Sequence, residues 1–349
     1  MNESCYLFLP NMVVLQFQSL QSNVKSNTPT HEILPPHLCN AIKDQKREFI
    51  NDPEASKNKS KIHSQKQETV TNIINHLKLT LSENQKTLLM LNQEKCASSW
   101  LTTMPLENKG YHLNKQTFQD LIRIRYGWAL QRTPSNCECG SSFSLEHALS
   151  CKKGGFVSMR HNLIRNFIAK TMSQVCRDVQ IEPQLQPMVG TEDIKQPKNT
   201  SDEARLDVAA RGFWITGQKA FFDIRVFNPL AKRYVNLNSQ RCYEVNEKEK
   251  KRHYNERILE IEHASFTPMV YSATGGCGRE CRKAIRRLSE MISEKTNSNY
   301  SDIISYITRK INFSLIKSVQ ICLRGSRTVN NQDESMFSPG ISEKLSHIQ

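Results

Sequence analysis

The sequence predicts an α/β protein of the α+β kind, in which helices flank one small sheet. Helical patterns mark four segments, at about residues 156–176, 241–262, 279–295 and 300–320. Runs rich in β-branched and aromatic residues predict four strands, at about residues 179–182, 205–211, 220–227 and 267–273. The order along the chain is therefore α, β, β, β, α, β, followed by two further helices.

The chain before residue 156 divides into three parts. Residues 1–95 are polar and rich in Lys, Gln and Ser, which predicts a poorly determined segment that is partly helical or disordered. Within it, apolar spacing broken near Ser82 predicts a helical hairpin. Residues 96–135 predict a helical lead-in, and residues 136–155 form a small cysteine-rich unit.

Residues 156–327 are predicted to form the main domain. Its first helix carries apolar residues on one side and basic residues elsewhere, so one face should be buried. Its second and third strands are joined by a short turn around Thr216 and Gly217, which predicts a hairpin. Residues 328–349 read as a disordered tail.

The charge balance favours a polyanionic partner. The chain has 349 residues, with 48 Lys and Arg against 34 Asp and Glu, and a formal net charge of +14. Nucleic acid is the first candidate and an anionic membrane surface the second. The alternative is a soluble basic protein without such a partner.

The sequence predicts an intracellular protein, nuclear or cytoplasmic and not secreted. No apolar run approaches the roughly 18 residues that span a bilayer, and the first residues lack the pattern of a secretory signal. The chain has 11 cysteines. In a reducing compartment such cysteines are more often metal ligands or small buried residues than disulfides.

The stretch "CECGSSFSLEHALSC" has the composition of a zinc site. Cys137, Cys139, His147 and Cys151 offer three thiolates and one imidazole, a set that suits tetrahedral Zn²⁺. Gly140 gives the turn the freedom to direct both first thiolates at one ion. The alternative is a pair of reactive thiols with an unrelated histidine.

Asp207 and Asp223 lie inside the predicted hairpin. If its strands pair about residue 215, the two aspartates lie opposite each other on one face. Facing like charges need a compensating cation, and Mg²⁺ or Mn²⁺ prefers carboxylate oxygens. Glu182 is a candidate third carboxylate. Alternatively, Arg225 neutralises Asp223 in a cluster without catalysis.

The following helix, "NEKEKKRHYNERILEIEH", is rich in lysine. Lys248 and Lys251 share one face with Asn255, whereas Lys250 shares another with Tyr254 and Arg257. A lysine beside paired carboxylates is suited to metal-assisted hydrolysis of a phosphodiester. Only one of the two faces can be directed at the strands, and the pattern does not decide which.

Taken together, these motifs resemble a known family over residues 97–327. They are similar to the carboxyl-terminal part of reverse-transcriptase polyproteins from non-LTR retrotransposons that carry a CCHC zinc knuckle and a restriction-like endonuclease. The stretches that carry the resemblance are "SSWLTTMPL", "YHLNKQTFQDLIRIRYGW", "PSNCECGSSFSLEHALSCKKGGFVSMRHNLIRNFIA", "IEPQLQP", "ARLDVAARGFW", "AFFDIRVFNP", "NEKEKKRHYNERI" and "EHASFTPMVYSATGGCGRE".

The resemblance implies a PD-(D/E)XK nuclease core, whose α-β-β-β-α-β order agrees with the predicted one. Asp207 and Asp223 match the two acidic positions of the family, with Glu182 as the additional carboxylate for Mg²⁺ or Mn²⁺. Arg225 stands where many members have the catalytic lysine, and an arginine does not readily act as a base. In the retrotransposon branch this lysine has moved to the following helix.

The motif "KEKKRHY" matches that moved lysine, and it favours Lys250 over Lys248 and Lys251. Leu206 replaces the proline that is frequent in the family. The gap from His147 to Cys151 is one residue shorter than the commonest knuckle. No Tyr-x-Asp-Asp sequence occurs, so reverse transcription is not expected and the chain reads as a fragment or descendant of an element.

The leading hypothesis is therefore a metal-dependent endonuclease that cuts DNA, with a structural zinc ion. DNA is the expected partner, and the element's RNA is a further one; no membrane is expected. The second hypothesis is an inactive, domesticated or decayed nucleic-acid-binding zinc protein. The third is a zinc-stabilised protein-interaction module. The sequence does not predict an oligomeric state.

Overall fold

The computed structural model of the protein describes residues 59–187, 201, 203–234 and 236–327. The chain divides into two compact units, Met1–Lys86 and Thr87–Gln349. The predictions for residues 1–58 and for the tail at 328–349 lie outside the described residues.

The break predicted near Ser82 separates two helices, α1 (Lys59–Thr80) and α2 (Glu83–Asn92). The backbone N–H and the hydroxyl of Ser82 both donate to Oε1 of Gln85, at 3.1 and 3.0 Å. This side-chain cap satisfies groups that a helix start leaves without partners, so the local sequence itself begins the new helix.

The second unit opens with the short helices α3 (Ser99–Thr102), α4 (Lys115–Tyr126) and α5 (Leu145–Ser150). Asn114 caps α4, because its side chain accepts a hydrogen bond of 2.8 Å from the N–H of Thr117. Gly127 ends α4 at φ +68°, a left-handed conformation that costs glycine little. The predicted lead-in is therefore helical in part.

The main part of the unit follows the predicted order of elements. Its helices and strands are α6 (Phe156–Met172), β1 (Arg177–Ile181), β2 (Val208–Arg211), β3 (Lys219–Phe227), α7 (Ser239–Glu260), β4 (Ser265–Ser272), α8 (Arg279–Thr296) and α9 (Tyr300–Arg324). The largest differences from the predicted boundaries are at three element ends. α6 ends four residues before residue 176 and α9 ends four residues after residue 320. β2 begins at Val208, after a bend at Asp207.

The four strands form one mixed sheet in the order β1-β2-β3-β4. β1 and β2 pair antiparallel, as do β2 and β3, whereas β3 and β4 are parallel. A parallel pair needs a crossover, and α7 supplies it. The described part of the protein is thus a mixed α/β fold.

Helices cover both faces of the sheet. Alternate side chains of β3 point to opposite faces, so Phe222 and Ile224 enter one apolar cluster and Phe221 enters another. The larger cluster packs the sheet against α6, α8 and α9, and the smaller one includes Ile258 of α7. Asp223 alternates with Phe222 and Ile224, which directs it towards α7.

None of the described helices is both long enough and apolar enough to cross a bilayer.

Candidate functional site

Three side chains of α6 contact the two candidate sites, which are the cysteine-rich unit and the group of carboxylates. Arg160 donates to the carbonyl of Leu149 in α5 at 3.3 Å, and His161 lies 2.8 Å from Asp207. Arg165 pairs with Glu182. Arg160 and Arg165 are buried despite their charge, whereas His161 and Glu182 are partly accessible to solvent.

The cysteine-rich unit is a tight turn followed by α5. The N–H of Cys137 donates to the carbonyl of Ser141 and that of Gly140 to the carbonyl of Cys137, both at 2.8 Å. Gly140 takes φ +85°, where a residue with a Cβ would be strained. The turn brings the first two cysteines to the start of α5, which Ser144 caps through the N–H of His147.

The four predicted zinc ligands converge on one point. The ligand atoms of Cys137, Cys139, His147 and Cys151 all lie within 4.8 Å of one another, the sole such group of three or more among the described residues. Sγ of Cys137 lies 3.8 Å from Sγ of Cys151, and Sγ of Cys139 lies 3.3 Å from Nε2 of His147. Tetrahedral zinc, with bonds of about 2.0–2.3 Å, requires ligand separations of about 3.5–3.8 Å. The cluster therefore fits a metal ion such as Zn²⁺.

The electrostatics of the cluster favour a thiolate at Cys139. Hydrogen bonds from Ser141, together with those from Cys137 and Cys151, lower the pKa of the exposed Cys139 thiol to about 6. Burial instead raises the pKa of Cys151. Metal ions bind the thiolate form, so Cys139 is ready to bind at neutral pH.

The cluster is packed into the rest of the unit. Leu149 of α5 lies in an apolar cluster with Phe156 and Val319. Arg160 also approaches the carbonyl of Val226 in β3, at 3.5 Å. One guanidinium therefore connects α5 to the strand that carries Asp223.

The hairpin has the predicted register. Val208 pairs with Phe222 and Ala210 with Ala220, so partners are equally distant from residue 215. Continued by one step, the same register places Asp207 opposite Asp223. Besides burial, the negative charge of Asp207 raises the pKa of Asp223, so the two carboxylates need a compensating positive charge or hydrogen-bond donor.

Asp207 receives that compensation from two protein groups. Its Oδ1 lies 2.8 Å from Nε2 of His161, and its Oδ2 accepts a hydrogen bond of 2.5 Å from the N–H of Ile224. These two contacts hold the Asp207 carboxylate beside β3 in one orientation. Each oxygen keeps a further lone pair for another ligand.

Asp223 is paired with Lys250 of α7. The Lys250 ammonium lies 2.6 Å from Oδ2 of Asp223, whose side chain is only 8% exposed. This short contact is a charge-assisted ion pair, which acts against burial to lower the pKa of Asp223. The carboxylate oxygen keeps a further lone pair. Such an oxygen can accept a metal ion or a protonated ligand.

The position of Asp223 also affects its titration. Burial, with a smaller contribution from the charge of Asp207, raises the pKa of Asp223 to about 6, although Lys250 and His161 act in the opposite direction. The carboxyl group is therefore half protonated near pH 6 in the metal-free protein.

We expect the pH dependence of stability to report this shift. The folded pKa of Asp223 exceeds its ordinary value of 3.8, so the folded protein binds this proton more tightly than the unfolded chain does. The resulting stabilisation is fully present below pH 3.8 and is lost as the pH rises through about 6. The Asp223→Asn variant cannot ionise there and should lack this component. Urea unfolding of both metal-free proteins at several pH values measures it, and parallel pH profiles would contradict the expectation.

Glu182 and Arg225 are engaged elsewhere. The Glu182 carboxylate pairs with Arg165 and is 52% exposed. Nη1 of Arg225 lies 2.9 Å from Oε2 of Glu249, which Arg233 also approaches at 3.4 Å. The alternative in which Arg225 neutralises Asp223 was wrong, because Lys250 occupies that position.

The face of α7 that meets the sheet carries Lys250, Tyr254 and Arg257. The ring of Tyr254 packs 5.8 Å from that of Phe266 in β4. Arg257 is fully buried and donates to the carbonyls of Ser201 and Gln186, at 2.8 and 2.7 Å. This buried face leaves Lys250 as the lysine beside the carboxylates.

The other two candidate lysines lie away from the aspartates. Lys248 is exposed, and Lys251 approaches Glu280 of α8 at 3.6 Å. A hydrogen bond between the thiols of Cys277 and Cys281, at the start of α8, lowers the pKa of Cys277. They do not belong to the ligand cluster that the described residues contain.

Sequence reasoning missed His161 and Arg165. They stand four residues apart in "RHNLIR" and therefore share one edge of α6. That spacing next to an apolar helix face is a signal for charges directed at neighbouring strands. The carboxylates they contact became identifiable only from the packing of α6 on the sheet.

No protein-family model matches the chain, and comparison with curated protein sequences finds no significant similarity.

Proposed function

We propose that the chain is a metal-dependent DNA endonuclease domain, derived from a non-LTR retrotransposon, that hydrolyses phosphodiester bonds. One observation carries the proposal. The ammonium of Lys250 lies 2.6 Å from buried Oδ2 of Asp223, on the strand that pairs with the segment of Asp207. Two facing carboxylates and a lysine suit metal-assisted attack of water on a phosphate.

The order of elements supports this function. α6, β1, β2, β3, α7 and β4 follow the α-β-β-β-α-β order of a PD-(D/E)XK core. Asp207 precedes β2, Asp223 lies within β3, and Lys250 lies on the helix that follows. These are the positions that the family resemblance assigns to its acidic residues and its moved lysine.

Asp207 and Asp223 are the residues that would hold Mg²⁺ or Mn²⁺. Their fit rests on hard oxygen donors, which the hairpin register places opposite each other, and on the lone pairs that both carboxylates keep besides their protein contacts. When bound, the ion lowers the pKa of a coordinated water and stabilises negative charge on the phosphate. The carboxylate of Glu182 joins such a site only after leaving Arg165.

The protein groups around the carboxylates have separate tasks. As an ammonium, Lys250 can orient the attacking water and attract the negatively charged phosphate. It can remove a proton from that water only in its neutral form. His161 and the N–H of Ile224 hold Asp207 in one orientation. Arg225, on the same face of β3, is a further cation for the phosphate, although Glu249 shares it.

A basic surface on α8 supports DNA as the substrate. Arg279, Lys283 and Arg286 are exposed and follow helical spacing, so they form one stripe on α8. Glu280 at its start lies near Lys251 of α7, at 3.6 Å. Basic residues aligned on a helix are suited to the phosphates of a duplex, without reading its sequence.

A second candidate function is nucleic-acid binding without cleavage. It is favoured by the contacts of the two aspartates, since Asp207 binds His161 and Asp223 pairs with Lys250. Carboxylates compensated in this way are stable without a catalytic ion. Arg225 in place of the usual lysine points in the same direction.

Nicking of supercoiled plasmid by the full-length protein tests the proposal. We expect nicking with Mg²⁺ or Mn²⁺ and none with Ca²⁺ alone or without a divalent ion. Lys250→Met should lower the nicking rate by about 100-fold, the usual contribution of a positioned acid or base. Lys248→Met removes the same charge from an exposed position on the same helix and should leave the rate unchanged.

The two candidate functions give different results in this experiment. DNA binding without nicking by the wild-type protein would support the second one. Equal losses in Lys250→Met and Lys248→Met would show that only the charge of α7 matters, and would remove the role assigned to Lys250.

A further inference from the structure

A cavity of about 630 Å³ lies between the start of α4 and the end of α9. Its wall contains the first turn of α4, the segment around Arg132, and α9 from Lys317 to Gly325. None of its lining residues belongs to the zinc cluster or to the carboxylate site. Its volume is within the range of small-molecule sites, about 300–1,000 Å³.

Three basic side chains line the cavity: Arg132, Lys317 and Arg324. The guanidinium of Arg324 is compensated, because it donates to both carboxylate oxygens of Asp120, at 2.9 and 2.7 Å. Lys317 and Arg132 have no carboxylate within ion-pair distance among the described residues. The cavity therefore carries an excess of positive charge.

Lys317 is the best-placed cation. It donates one hydrogen bond, of 2.7 Å, to the carbonyl of Gly110, and two of its N–H groups remain for a ligand. Burial lowers the pKa of Lys317, and no nearby anion opposes this effect. A half-buried ammonium without a counter-ion is costly, so an anion in the cavity would stabilise it.

The rest of the wall suits an organic group attached to that anion. Gln320 is held in the wall by Asp120, to which its amide nitrogen donates at 3.1 Å. Leu113 and Ile321 add apolar surface. The wall thus combines cations with an apolar surface on which a flat ring can pack.

We propose that this cavity binds a nucleoside 5′-phosphate, either free or as one unit of a single-stranded nucleic acid. Lys317 and Arg132 bind the phosphate, and the N-terminal amides of α4 add a favourable partial charge. The sugar or base packs on Leu113 and Ile321. The site lies outside the cleavage centre and does not depend on nuclease activity.

Titration calorimetry of the full-length protein without Mg²⁺ tests this site. The probes are adenosine 5′-monophosphate, adenosine and a ten-residue oligoadenylate. We expect the monophosphate to bind, adenosine to bind much more weakly, and inorganic phosphate to compete. Lys317→Met and Arg132→Gln should each weaken binding about tenfold, the effect of a lost charge-assisted hydrogen bond.

Lys295→Met is the matched control. Its ammonium likewise donates to one carbonyl, that of Gln174 at 2.6 Å, but it lies on α8 outside the cavity. Binding by this variant should equal that of the wild type. Arg132 is exposed, so Arg132→Gln is not expected to affect folding. If Lys317→Met fails to fold, the affinity of Arg132→Gln for the monophosphate tests the site.

The probes also identify the source of the phosphate. Tighter binding of the oligoadenylate than of the monophosphate, with loss in both variants, assigns the cavity to a strand. Equal affinities assign it to a free nucleotide. The proposal is overturned if neither the monophosphate nor the oligoadenylate binds the wild type. It is also overturned if Lys317→Met and Arg132→Gln both bind these probes as the wild type does.

Discussion

Replacing Asp223 or Asp207 by asparagine is expected to reduce metal-dependent nicking by at least about 1,000-fold. Each substitution keeps the shape of the side chain but removes a charged oxygen donor from the pair that faces the proposed ion. In Asp223→Asn, Lys250 also loses the carboxylate 2.6 Å from its ammonium. Plasmid nicking at matched protein concentration measures the effect.

Asp178→Asn provides the control for this prediction. Asp178 is a surface carboxylate of β1 that pairs with Arg211 at 2.8 Å. The substitution removes the same charge without touching the facing pair, so nicking should be unaffected. DNA affinity, measured by fluorescence anisotropy, should be retained in all three variants because the basic stripe on α8 is unchanged.

Retention of nicking in Asp223→Asn would remove the carboxylate pair from the mechanism. Loss of DNA binding together with nicking would instead assign the aspartates to the folding of the domain. Circular dichroism of the variants separates these outcomes, because a folding role predicts a loss of helix and strand content.

The second large effect concerns the zinc cluster. The purified protein is expected to contain one zinc ion per chain, and Cys151→Ser should abolish this and lower the melting temperature by about 10 °C. Cys151 is buried and ends α5, whose Leu149 lies in an apolar cluster with Val319 of α9. Loss of the ion therefore releases part of the core as well as the turn.

Cys176→Ser is the matched substitution outside the cluster. Cys176 is partly buried, and burial raises the pKa of its thiol to about 11, so it stays protonated at neutral pH. Zinc content should be unchanged in this variant. Metal analysis measures the zinc content and thermal unfolding measures the melting temperature. The assignment would be contradicted if the purified wild-type protein contained no zinc, or if Cys151→Ser melted at the wild-type temperature.

The helical pattern of α7 narrowed the choice of the lysine beside the carboxylates but did not complete it. The helical period separates Lys250, Tyr254 and Arg257 from Lys248 and Lys251, but both faces carry charge. The family resemblance favoured Lys250. Tyr254 is partly buried against β4, and Arg257 is buried against the loop carbonyls. These two contacts explain why that face meets the sheet.

The sequence by itself determined the order of helices and strands, the four converging zinc ligands, and the hairpin register that, continued by one step, places Asp207 opposite Asp223. These features depend on short-range rules: apolar periodicity, ligand spacing within one turn and helix, and a hairpin turn that sets the register. Such rules act between residues close in the chain, so they can be read without the fold.

Only the tertiary structure decided which side chains compensate the carboxylates. His161 contacts Asp207, 46 positions further along the chain, and Arg165 pairs with Glu182. Arg225 turns to Glu249 on α7, which leaves Asp223 to Lys250. Long charged side chains can choose among several partners, and the choice depends on how α6 and α7 pack against the sheet, which no local pattern contains.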